Sequence, residues 1–240
     1  MDLKKMLGYI CLVMVIVVLT IEHGLDREIV LMCVAAATVI VGIIVWFIRM
    51  MNIRNACKEN NFTLIKDDVF KWEYVRALSA EIEIFKDDAA SRAVIDDMDM
   101  VSLNFNDKRA YAAQVVYQIG KSSDVTLLVF ILESKTPIPY VKIAKKANFF
   151  TPLKFLYLPI RECGEIDINK TYKLFCSSEN VQSFLDIAGN IMPLLEKNKL
   201  NIEAGGNYIV VYKLGNIMTS FDKFVNQTLP IAETFYAKNM

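Results

Sequence analysis

Two uncharged apolar runs open the chain, and beyond them the apolar positions turn periodic. Residues 6–21 (MLGYICLVMVIVVLTI) hold no charge over about 16 positions, just under the usual span; residues 29–48 (IVLMCVAAATVIVGIIVWFI) hold none over about 20, enough for roughly 30 Å of hydrocarbon at helical rise. A short polar turn, residues 22–28 (EHGLDRE), joins them. This pattern predicts a transmembrane helical hairpin, because unpaired backbone groups in lipid would cost several kcal/mol each. A signal peptide is the competing reading of the first run, which Lys4 and Lys5 precede; no small-residue cleavage site follows, and a full second span comes at once. Arg49, Arg54 and Lys58 follow the second run, and the connecting turn holds one base, Arg27, against three acids. The bias places both termini in the cytoplasm, with Trp46 at the inner interface. Ala35, Ala36, Ala37 and Gly42 suit either close helix approach or plain lipid contact.

Past residue 60 the spacing is that of one globular domain. Val69, Phe70, Trp72, Val75 and Leu78 recur at helical intervals. Alternation in 81–84 and 101–105 predicts two half-buried strands. Tyr111, Ala113, Val115, Tyr117 and Ile119 share a strand face; turn chemistry at 120–124 follows, and then the continuous run 125–132 (VTLLVFIL) of an interior strand. Pro137 and Pro139 are expected to end that hairpin. Residues 165–168 and 172–176 read as further strands. Ser177, Ser178 and Asn180 are candidate caps for a helical run over 181–195, which Gly189 and Pro193 should break in two. Residues 200–203 and 208–212, around Ala204-Gly205-Gly206-Asn207, predict a second hairpin. A closing helix starts at Ser220, with Phe221, Phe224, Val225 and Leu229 inward, and Pro230 should kink or end it. The expected fold class is α+β: an N-terminal transmembrane helical hairpin (spans about 6–21 and 29–48, within residues 1–59), followed by a cytosolic domain (60–240) with a mainly antiparallel β-sheet and flanking helices.

Composition supports the membrane part and narrows the partners. Of 240 residues 54% are hydrophobic, and 27 basic residues balance 27 acidic ones, so there is no basic footprint for nucleic acid. Cys11 and Cys33 fall inside the spans; Cys57, Cys163 and Cys176 fall on the reducing side, in an odd number and without a CxxC pair.

Candidate chemistry is sparse. Asp67-Asp68, Asp87-Asp88 and Asp96-Asp97-Met98-Asp99 are the acid clusters; two carboxylates hold Mg²⁺ or act as acid and base, but only Asp97 and Asp99 would share a strand face, and aspartate is common beside turns. Cys163 and Cys176 have no histidine downstream of His23, which itself sits among acids in the outer turn. Gly205-Gly206 lacks the spacing of a phosphate loop and leads into a strand. Neither a catalytic residue, a metal site nor a cofactor is expected. Lys142, Lys145, Lys146 and Lys154, among Phe149, Phe150 and Phe155, are a candidate membrane-surface contact for anionic headgroups; a solvated loop with buried phenylalanines is the alternative.

The order of elements carries a resemblance. The two spans, the Pro137-Ile138-Pro139-Tyr140 connection, the run from Glu165-Ile166-Asp167-Ile168 through Tyr172-Lys173-Leu174-Phe175, and Gly206-Asn207-Tyr208-Ile209-Val210-Val211-Tyr212 after a helix are together similar to a bacterial family of two-span membrane proteins of unknown function. That resemblance implies a bacterial inner-membrane location and an α+β cytosolic domain, and implies no activity. The functional expectation is a non-enzymatic, membrane-anchored protein whose cytosolic domain binds a protein partner, in an immunity or accessory role. The alternative is a ligand-gated membrane effector that oligomerises and perturbs the bilayer through the short first span. The expected partners are the lipid bilayer, a protein and a second copy of the chain.

Overall fold

The computed structural model describes residues 27–60, 62–86, 93–105, 108–119, 123–147, 156–159, 162–215 and 221–238. The first apolar run, Lys4, Lys5, Cys11 and His23 lie outside the described residues, so only the second half of the expected hairpin is in view. By internal contacts the chain divides into two compact units, Met1–Arg54 and Asn55–Met240.

Helix α1, Arg27–Asn60, takes in the whole second apolar run and continues through the polar stretch after it. Its 34 residues rise about 51 Å at 1.5 Å each. Leu31, Ile40, Trp46 and Phe47 are exposed on it. Among the described residues it is the helix long and apolar enough to cross a membrane.

The second unit is a mixed α+β domain on an antiparallel sheet. Strand β1 (Thr63–Ile65) leads into α2 (Asp68–Glu81) and a 3₁₀ turn (Glu83–Phe85). Strands β2 (Ala93–Phe105), β3 (Lys108–Ile119) and β4 (Ser123–Lys145) form a meander, and β5 (Gly164–Asp167) and β6 (Tyr172–Cys176) a hairpin. Helix α3 (Val181–Asn198), β7 (Asn201–Leu214) and α4 (Phe221–Lys238) complete it. The sheet order is β1-β2-β3-β4-β6-β5, and β7 pairs with β4 on its other side.

Strand β4 organises the domain. One edge pairs first with β3, up to Leu132, and then with β6 from Val141; the other edge pairs with β7 from Leu127 to Glu133, at Ile138, and again from Val141 to Ile143. Leu127, Val129 and Ile131 are fully buried on one face, and Leu128, Phe130 and Leu132 on the other. The strand reads as an unbroken apolar run for that reason: both faces of the sheet are covered. Tyr74, Val75 and Leu78 of α2 join the core of the first face. On the second face Lys213 of β7 lies over the Phe224 ring of α4, and Phe184 of α3 stacks on Phe235 at 6.1 Å.

Several local expectations are corrected. Residues 81–84 form no strand: Glu81 closes α2, and the 3₁₀ turn follows. Pro137 and Pro139 do not end β4. They fall where its pairing with β7 slips, between Glu133, Ile138 and Val141, and where β3 has ended and β6 has not begun, so no ladder needs their missing N–H. Residues 201–214 are one strand, not a hairpin. Both halves pair with β4, which is long enough to hold them in line, and Gly206 takes φ +53° at the isolated pair with Ile138 instead of reversing the chain. Gly189 and Pro193 leave α3 unbroken, because burial of Ile187, Ala188, Ile191, Met192 and Leu195 holds the helix across the lost hydrogen bond. Likewise α4 runs through Pro230, with Ile231, Ala232 and Phe235 buried beyond it.

Candidate functional site: a basic-rimmed groove beside a strand edge

Asp67 starts α2 by accepting hydrogen bonds from the Val69 and Phe70 N–H groups at 3.0 and 3.2 Å. The helix turns Tyr74, Val75 and Leu78 into the core and leaves Val69, Phe70 and Trp72 exposed. Trp72, Val75, Arg76 and Ser79 recur at three- and four-residue intervals, so they form one helical stripe. That stripe is one wall of a groove of about 640 Å³, completed by Phe85, Lys86 and Ile95. Among the described residues neither the Arg76 guanidinium nor the Lys86 ammonium has an ion-pair partner. Two uncompensated cations therefore flank apolar walls.

Ile95 belongs to β2, and among the described residues the outer edge of that strand is mostly unpaired. Strand β3 pairs with β2 along its length, whereas β1 pairs only with Met100, Val101 and Ser102. From 93 to 99 no described strand lies on the outer side. A bulge between Ile95 and Asp97 and the aspartates at 96, 97 and 99 fall on this stretch. Charges and bulges are how open edges are kept from indiscriminate pairing. The Asp96–Asp99 cluster is therefore part of a strand edge and not the turn cluster expected.

The 3₁₀ turn that leads to Lys86 is anchored by a buried polar cluster. Lys142 Nζ lies 3.2 Å from Glu203 Oε2 and 4.0 Å from Glu83 Oε2, and all three side chains are fully buried. The Glu83 N–H donates to Glu203 Oε1 at 2.5 Å, and the Tyr140 hydroxyl donates to Glu83 Oε2 at 2.8 Å. The Tyr117 hydroxyl donates to the Ile84 carbonyl. Together these bonds tie the 3₁₀ turn to β3, β4 and β7 and so hold Phe85 and Lys86 in place. Burial outweighs the attraction of Lys142 and lifts the Glu203 carboxyl above its usual range. Burial, then Glu203 and Glu83, push the Tyr140 phenol up, so it stays a donor. A second aromatic cluster forms where Tyr74 meets Tyr111 at 4.7 Å and Tyr208 at 6.1 Å, with the Tyr74 hydroxyl donating to Glu133 at 3.0 Å.

The expected lysine surface does not hold together. Lys142 is the buried partner of Glu203 and is no membrane-surface group, because it lies in the part of β4 held between β6 and β7 and not in a loop. Lys145 is half-buried, its pKa lowered by burial and by Lys199; Lys146 pairs with Asp167 at 2.9 Å; Lys154 lies outside the described residues. Asp67 is a helix cap, Asp68 pairs with Lys71 at 2.6 Å, and Asp87-Asp88 lie outside the described residues. Cys57, Cys163 and Cys176 are in no disulfide, and burial pushes the Cys176 thiol up. No group of three metal-ligating side chains occurs among the described residues. Arg76, Lys86, Glu83 and Glu203 were not singled out from sequence. A lone Glu203 in an apolar strand window was the one local signal, since a buried carboxylate needs a partner.

These features define a mixed α+β antiparallel-sheet domain with a basic-rimmed groove, in a chain that also carries a long apolar helix. No family model matches the chain, and no curated protein matches it. Among solved structures it is similar to the crystal structure of the mycobacterial trehalose monomycolate transport factor A, TtfA, at 13% identity and a TM-score of 0.43, over 77% of this chain and 90% of that one. At that distance the likeness assigns neither activity nor partner.

Proposed function

We propose that this chain is a membrane-anchored, non-enzymatic protein of the bacterial inner membrane whose cytosolic domain binds a protein partner at the groove, in an immunity or accessory role. The observation that carries the reading is the pair of cations, Arg76 and Lys86, without ion-pair partners among the described residues, on apolar walls beside a strand edge on which no described strand lies. Apolar walls with a few charged groups are the usual make-up of a recognition site. Anchoring through α1 would concentrate the domain near membrane-bound partners without any new contact. The buried Glu83–Lys142–Glu203 cluster supports a binding module over an enzyme, since its acids are engaged by Lys142, by the Tyr140 hydroxyl and by a backbone N–H inside the core. The effector alternative rests on the short first apolar run, which lies outside the described residues.

A photo-crosslinking side chain at Ser79, inside the groove, tests this in living cells against one at Asn190, exposed on α3. One identified protein should crosslink from Ser79, not from Asn190, and should co-purify with the unmodified chain. Absence of any Ser79-specific adduct overturns the reading.

A further inference from the structure

The groove's shape and charge say more about what it takes. Resting on the reading that the groove receives the partner, we infer that the partner supplies an extended segment that adds as a new strand to the outer edge of β2 along residues 93–99, with acidic side chains toward Arg76 and Lys86.

The backbone argues for a strand. In a β-strand alternate residues present N–H and C=O groups to each side. Along 93–99 the inner side is taken by β3, in a register that runs from Ala93↔Ile119 to Asp99↔Gln114 across the bulge, while the outer side has no described strand. Those outer groups can be satisfied together by an extended chain, the pairing used in strand addition. A helix in the groove would leave them unmet. The open stretch is about 23 Å long at roughly 3.3 Å per residue, against about 10 Å for the Trp72–Ser79 wall at helical rise. A strand on this edge would therefore run past the wall at both ends and set two side chains of one face, about 6.6 Å apart, into the groove.

Charge argues for acids on that face. Arg76 and Lys86 lack ion-pair partners among the described residues, and the exposed Trp72 leaves apolar surface between them, over the buried Phe85 and Ile95. The other face of β2 is acidic by alternation: Met98 and Met100 turn into the core, which puts Asp99 on the opposite side. A segment with acids toward the groove and bases on its reverse meets both. A second copy of this strand does not, because antiparallel self-pairing would set the aspartates of one copy beside those of the other.

The test uses the full chain in zwitterionic nanodiscs with Trp46→Phe, which leaves Trp72 as the one indole. A displayed library of random nonapeptides is the probe. Selected peptides should share acids two positions apart, shift Trp72 emission, and slow amide exchange at residues 93–99 by at least about tenfold. The surface double variant Arg76→Glu/Lys86→Glu, with an unchanged melting profile, should weaken those peptides by about tenfold or more and turn the selection toward bases. The inference is overturned if no peptide is selected, if selected peptides leave the 93–99 amides unslowed, if charge reversal leaves the selection unchanged, or if anionic phosphatidylglycerol vesicles shift Trp72 while peptides do not. A Ser79 adduct in cells without slowed 93–99 amides in the complex sinks strand addition and leaves partner binding standing; no Ser79 adduct sinks partner binding itself.

Discussion

Glu203 shows what a single side chain contributes here. It is wholly buried beside Lys142, it accepts the Glu83 N–H, and burial raises its carboxyl pKa. A raised folded-state pKa means that the native state holds more protons than the unfolded chain between the two values. Stability from this group is complete below the unfolded value of about 4.3 and is lost as pH climbs through the raised one. Lys142, Glu83, Tyr140 and Tyr212 are the charged and titratable groups that face it. Chemical denaturation at a series of pH values should therefore show the midpoint falling as pH rises above about 4.3, and Glu203→Gln should flatten that slope. An identical slope in the variant would rule out Glu203 as its source. Removing Lys142 outright would leave buried carboxylates uncompensated, a loss of roughly 3–5 kcal/mol. The pair was not legible in the sequence, because Lys142 and Glu203 are far apart along the chain and meet only through the β4–β7 register, Lys142↔Glu203.

Among the elements, β4 and β7 decide the architecture, and Gly206 is the point where the longer strand is accommodated. Its φ of +53° is the left-handed region, and a Cβ there would fall 2.7 Å from the Glu81 side chain at the end of α2. Gly206→Ala should cost about 1–2 kcal/mol from backbone conformation alone. Glu81→Ala in the same chain should recover only the collision, a non-additivity that a double-mutant cycle of unfolding free energies reads directly. Full recovery would mean that the conformation carries no cost. The Gly-Gly-Asn signal was real, but its physical content is a bend and a close approach. A hairpin and a bent strand share local turn chemistry; which one forms depends on whether a third strand is long enough to pair with both halves.

For the molecule as a whole, the consequential expectation is that the domain faces the cytoplasm. Cys163 is partly accessible, whereas Cys176 is buried with its thiol pKa raised. In a variant that keeps Cys163 and carries serine at the other four cysteines, a membrane-impermeant maleimide should leave spheroplasts unlabelled and label inverted vesicles. Labelling of intact spheroplasts would reverse the orientation and remove the proposed cytosolic partner.

Periodicity along the chain was enough for the α+β class, the β-hairpin from Tyr111 to Leu132, the helix at 69–78 and an apolar helix of membrane-spanning length. Each depends on residues close in sequence: apolar spacing selects helix or strand, and an uncharged run of about 20 residues has few other uses. The tolerated prolines, the single β7 strand, the burial of Lys142 and the groove itself came from contacts between distant segments. Pro137 is harmless only because of where β3 stops and β6 starts, and Arg76 becomes a rim group only because Ile95 and Lys86 fold up opposite it. Local preferences are worth tenths of a kcal/mol per residue, while burial and pairing are worth several per contact region, so long-range packing overrode local signals where the two disagreed.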